Sequence, residues 1–141
     1  AAPAPAGDEP SAREVCERAV RVLVACGRLP EALSLYRDAV DAGALDPWHA
    51  TEPGVLDLHD FSLEVAEAAV GDALLRRLVA GGCGRDLVIV TGRGSHSHDG
   101  QAAIRPMLLQ LLRAELGLDA ATVPGNAGRL RVPAGSLRRL A

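Results

Sequence analysis

Lysine is absent: all fifteen basic residues of this 141-residue chain are arginine. The bias reads as high-GC codon usage as much as selection, but arginine-only basicity favours planar, bidentate contacts to phosphate. Cysteine is scarce and odd in number. No two of Cys16, Cys26 and Cys83 are spaced as CxxC, which argues against a disulfide framework or a zinc knuckle and predicts buried free thiols in a reducing intracellular compartment. No apolar run approaches the roughly 20 residues of a membrane-crossing helix, so no membrane partner is expected. No methionine opens the chain and no charged-plus-apolar signal precedes the fold, so upstream sequence is expected, with any targeting segment out of view.

What is present suits one globular domain with a small appendage and leaves no room for two full catalytic domains. Hydrophobic residues make up 48% and charged residues 23%, ordinary for a globular protein. The net charge of −3 is unevenly spread. Residues 1–75 hold 5 Arg against 14 Asp and Glu (−9), while residues 76–141 hold 10 Arg against 4 (+6). A basic half is a better electrostatic footprint for a polyanion than the total suggests, although dispersed salt bridges can produce the same count.

Along the chain, Ala1 to Pro10 is an Ala/Pro/Gly linker with nothing to bury, expected to be disordered. Residues 11–45 read as a helical hairpin. Ser11 and Glu14 have capping-box spacing, Gly27 stops the first helix, Pro30 opens the second and Gly43 ends it. Residues 46–54, with Asp46-Pro47-Trp48 and Glu52-Pro53-Gly54, form a connector.

The α/β unit, 55–141, starts with a strand over 55–59 and a helix from about Ser62 to Val79. A continuous apolar strand over 86–90 follows, expected to be covered on both faces. Next come the loop Thr91-Gly92-Arg93-Gly94-Ser95-His96-Ser97 and a helix from about Ala102 to Leu116. Two short strands, 121–123 and 129–132, are separated by a turn at 125–128. A right-handed crossover makes the first two strands parallel, and a hairpin makes the last two antiparallel.

The chemistry concentrates at two loops. Residues i and i+2 of a strand share a face, so Asp57 and His59 point into one site while Leu56 and Leu58 pack. If the first two strands are adjacent, this pair meets the glycine loop at the carboxyl edge of the sheet, where open α/β sheets place ligands. His59 is the first candidate for proton transfer. Asp57 can orient it, or can hold Mg²⁺. Gly92 and Gly94 leave backbone N–H groups open to phosphate, Arg93 adds a fork of donors, and His96 is a second candidate acid. Arg129 and Arg131 alternate along a strand and can share a face that tracks a backbone.

The bland alternatives are a helix cap for Asp57, a structural histidine at 59 and a plain tight turn at 91–94. His49 and His98 read as exposed, Met107 and Trp48 as packing residues, and Arg76-Arg77 as a solvated helix face. The acids Asp57, Asp60 and Asp99, or the pair His96 and His98, fall short of a metal site, and no bound metal is expected.

Three blocks, VLDLHDFSLEVAEAAV (55–70), VIVTGRGSHSHDG (88–100) and NAGRLRVPAGSL (126–137), resemble the successive motifs of the Smr (small MutS-related) domain, over roughly residues 53–141. The segment ACGRLPEALSLYRDAVDAGAL (25–45) is similar to one pentatricopeptide repeat, so the chain looks like the end of a pentatricopeptide-repeat Smr protein.

The resemblance implies a small mixed-sheet β-α-β-α-β-β sandwich, like the carboxyl-terminal domain of a bacterial translation initiation factor, after an α-helical hairpin. It implies a nucleic-acid-binding endonuclease that cleaves or nicks RNA in preference to DNA. The alternative is a non-catalytic RNA/DNA-binding or protein-docking domain. The implied catalytic residues are Asp57, His59 and His96, and the implied nucleic-acid contacts are Thr91, Gly92, Arg93, Gly94, Ser95, Arg129 and Arg131. A monomer with upstream repeats, placed in an organelle and in the chloroplast ahead of the mitochondrion, is expected, with Mg²⁺ an optional cofactor. One departure stands out: glycine commonly follows the LDLH histidine, whereas here Asp60 does, adding negative charge expected to weaken phosphate binding.

Overall fold

Four short β-branched and leucine-rich runs pair into a mixed sheet, and the helices that join and precede them cover one of its faces. The computed structural model describes residues 9–81, 84–92 and 99–140, with backbone alone over 99–102. The strands are β1 (Val55–Asp57), β2 (Leu87–Val90), β3 (Ala121–Val123) and β4 (Asn126–Val132), in sheet order β1-β2-β4-β3. β1 and β2 are parallel and β3 and β4 antiparallel, as the sequence predicts, and β4 also pairs antiparallel with β2. Among the described residues the fold is a four-stranded mixed sheet with five α-helices.

The strand expected over 55–59 ends at Asp57, because the chain turns there. Leu58 N–H still donates to Val90 O at 2.8 Å, and Phe61 N–H donates back to Leu58 O at 3.0 Å. The strand expected over 86–90 is covered on one face only. Leu87 and Ile89 are fully buried, while Val88 and Val90 are half-buried and pair across the sheet with Arg131 and Arg129. An apolar run hides this alternation, since valine is accepted on either face. The turn expected at 125–128 tightens to Pro124-Gly125, with Gly125 at φ +76°, so that Asn126, Ala127 and Gly128 belong to β4.

α1 (Ala12–Ala25) and α2 (Leu29–Asp41) form the predicted hairpin, with Ser11 Oγ accepting from Glu14 N–H at 3.1 Å. The hairpin packs on α3 (Leu63–Ala80), capped by Ser62. α3 is therefore buried on two sides, which explains its poor amphipathicity. Val65, Ala66, Ala68, Ala69, Val70, Ala73 and Leu74 are all buried. Small side chains let α2 come close, and a Cβ at Gly71 would sit 3.2 Å from Leu33 Cδ2. One apolar core joins Val20, Tyr36 and Leu45 of the hairpin side to Ile89, Leu130 and Leu137 of the sheet side.

α4 (Asp99–Leu109) runs into a π-helical stretch, Gln110–Glu115. The single helix expected there thus widens, its end marked by the i→i−5 bond from Leu116 N–H to Leu111 O. α5 (Ala134–Arg138), not anticipated, starts where Asp86 Oδ1 accepts from Ala134 N–H at 2.8 Å. No described helix is long and apolar enough to cross a membrane.

Candidate active site

Burial of Leu56 and Leu58 turns Asp57 and His59 outward on the same side. His59 Nδ1 lies 2.6 Å from Asp57 Oδ1, which also accepts the His59 backbone N–H at 3.2 Å. The other ring nitrogen, Nε2, lies 3.1 Å from Asp60 Oδ2. The imidazole is held between two carboxylates with its side chain still 52% exposed.

The Asp57 hydrogen bond is the main reason that the His59 pKa is raised. Burial opposes it, the charges of Asp57 and Asp60 add to it, and Arg13 works against it. Because the folded value lies above the ordinary 6.5, the stability from this cluster is fully present below that pH. It is lost as pH rises through the higher folded value. By NMR titration, Asp57→Asn is expected to lower the His59 midpoint more than Asp60→Asn does. An Asp57→Asn midpoint equal to that of the wild type would remove Asp57 as the cause.

The second loop meets the first because β1 and β2 are neighbours, with Asp57 level with Val90. Gly92 has φ +81°, a left-handed conformation that disfavours side chains, and a Cβ there would lie 3.4 Å from His59 Cβ. The first glycine of the loop thus backs directly onto the histidine. Thr91, expected among the nucleic-acid contacts, is fully buried and serves as a latch. Its N–H donates to Gly128 O at 2.8 Å, and its hydroxyl reaches the same oxygen at 3.3 Å. Arg93, Gly94, Ser95, His96 and His98 lie outside the described residues.

Arg129 and Arg131 share the outward face of the sheet, as their alternation predicts, but both are paired. Arg129 makes a bidentate contact with Glu52 of the connector at 2.7 and 2.8 Å, and Arg131 Nε lies 3.8 Å from Asp86. The pair with Arg129 lowers the Glu52 pKa. Arg76 and Arg77 are likewise engaged. Arg76 holds Asp72 and Asp41, and Arg77 donates to the carbonyls of Arg85 and Asp86. Much of the positive charge of the second half is therefore spent on the acidic first half and on backbone carbonyls.

A cavity of about 280 Å³ opens at the Asp57–His59 pair, also lined by Arg13, Asp46, Trp48, Ala50, Asp60 and Phe61. Trp48, expected to be packed, stands 36% exposed in this wall. Arg13 comes from α1, and no sequence pattern ties it to a site 44 residues away. A larger concavity, about 520 Å³, lies at the β3–β4 turn and is lined by residues 122–127. It offers no titratable side chain for catalysis.

No three His, Cys, Asp or Glu side chains gather into a metal-binding group among the described residues. Asp57 and Asp60 each place one oxygen on the imidazole. Comparison with known proteins returns no match to a family model, a curated protein or a solved structure.

Proposed function

We propose that this chain is an endonuclease module acting on RNA phosphodiester bonds, of the Smr type that its LDLH and TGRG blocks resemble, from an organellar pentatricopeptide-repeat protein. The observation that carries this reading is the Asp57–His59 contact at 2.6 Å beside Gly92 at the carboxyl edge of the sheet. Transesterification of RNA needs a base for the 2′-hydroxyl, an acid for the leaving 5′-oxygen and positive charge at the phosphate. His59, whose pKa the Asp57 hydrogen bond raises, donates in its protonated form to the 5′-oxygen. Asp60, already 3.1 Å from Nε2, turns to take the 2′-hydroxyl proton. The 2′-oxygen bonds to phosphorus as the P–O5′ bond breaks, leaving a 2′,3′-cyclic phosphate and a 5′-hydroxyl. No step is routed through a metal.

The test is release of labelled product from single-stranded RNA and matched DNA, with and without Mg²⁺. Cleavage of RNA that yields cyclic phosphate ends supports the mechanism, and equal cleavage of DNA would remove the 2′-hydroxyl step. A second reading, a non-catalytic RNA-binding or protein-docking module, is favoured by Asp60 capping Nε2. Saturable, salt-sensitive RNA binding without product would support it.

The Arg129–Glu52 pair gives a further check. If Arg129 tracks a phosphate, RNA must compete with Glu52. Glu52→Gln is then expected to tighten RNA binding and steepen its salt dependence by about one contact. An unchanged salt slope would take Arg129 out of the interface.

A further inference from the structure

We infer that the 280 Å³ cavity is a subsite for one nucleotide of a single-stranded nucleic acid, with Trp48 stacking the base and Arg13 holding the phosphate. This rests on the RNA-cleavage reading and adds the binding groups that the two sheet loops lack. Trp48 is the only tryptophan of the chain, and its side chain is left partly in solvent.

It is held firmly. The connector runs as an added edge beside β1, with Trp48 bridged to Leu56, His49 N–H donating to Val55 O at 2.8 Å and Asp57 N–H donating to Pro47 O at 2.6 Å. An indole in the wall of the cavity that His59 also lines is a base-stacking surface, and a stacked base accepts any sequence because every base has a π-face.

Arg13 is the only arginine lining this cavity among the described residues. Its guanidinium lies 5.5 Å from the Phe61 ring centroid, with Nε bonded to Glu17 at 3.0 Å. Its Nη atoms find no partner among the described residues, which leaves a donor edge for a phosphate oxygen. Asp46, Asp57 and Asp60 make the remaining wall acidic, which disfavours a long phosphate track and suits a single nucleotide gripped by one cation and one ring. At about 280 Å³ the cavity falls just below the roughly 300–1,000 Å³ usual for drug-sized ligands, which suits one nucleotide and not a longer segment. The helical hairpin, by supplying Arg13, is on this account part of the site.

The test uses the full chain and a 2′-O-methyl tetranucleotide, which cannot undergo transesterification, with inorganic phosphate and a free nucleoside as comparison probes. Tetranucleotide binding should change Trp48 fluorescence and exceed both probes in affinity. Trp48→Ala should weaken binding by about 5- to 150-fold, with Trp48→Phe recovering part of the loss. Arg13→Gln should weaken binding and flatten the salt dependence by about one contact. If Trp48→Ala and Arg13→Gln, both folded by circular dichroism, bind the tetranucleotide and cleave RNA as the wild type does, the subsite is overturned while the RNA-cleavage reading stands. If the wild type neither binds nor cleaves RNA, both fall together.

Discussion

His59→Ala is expected to lower the rate of RNA cleavage by about 10²- to 10⁴-fold, the usual contribution of a positioned acid or base. The substitution removes the proton donor and leaves Leu58 and Phe61, which hold the turn through their own burial and backbone hydrogen bonds, so the fold should persist. Asp57→Asn should also lower the rate, since the Nδ1 contact at 2.6 Å fixes the ring and holds its proton. The double variant should fall little below His59→Ala alone, because groups acting as a unit are not additive. The pH profile separates chemistry from folding. Asp60→Asn, which removes the proposed base together with one of the charges raising the His59 pKa, should lower the rate and move the high-pH limb of the remaining activity to lower pH. Full activity in folded His59→Ala, measured as single-turnover cleavage, would sink the proposed mechanism.

The site was legible in part, and the reasons differ residue by residue. Asp57 and His59 could be read because the two-residue period of a strand holds over the few residues needed, even though β1 ends at Asp57. Parallel pairing of β1 with β2 follows from a right-handed crossover, and it brings Gly92 to His59. Thr91 reads as a ligand group because a hydroxyl beside a glycine loop looks like one, yet its side chain is fully buried. Only the neighbouring strand, reached through Gly128 O, shows that it is spent inside.

Arg129 and Arg131 were placed on the correct face by alternation, yet their partners Glu52 and Asp86 are separated from them by 77 and 45 positions in sequence. Charge counts cannot see such pairings. Arg13 and Trp48 were missed for the same reason: each belongs to a segment that reads as scaffold, and only tertiary packing brings both to the cavity. The two-sided burial of α3 shows the converse. Its alanine-rich composition reads as a generic apolar face, and the hairpin explains it only once placed.

That packing also carries the second large expected effect. The Asp72 side chain is 5% exposed between α2 and α3, where its two oxygens accept from Arg37 Nε at 2.8 Å and Arg76 Nε at 2.7 Å. A carboxylate taken out of water is tolerable only with such partners, so removing both guanidinium groups should cost far more than an exposed ion pair is worth. Arg37→Met with Arg76→Met keeps most of the aliphatic packing and strands the charge, and should destabilise the fold by about 3–5 kcal/mol in denaturant unfolding. Adding Asp72→Leu to the pair should recover much of that loss, since an apolar side chain needs no partner there. If the double variant unfolds within about 1 kcal/mol of the wild type, a size typical of exposed pairs, Asp72 is not desolvated by the hairpin. The packing that carries Arg13 to the cavity beside His59 would then be looser than the burial implies.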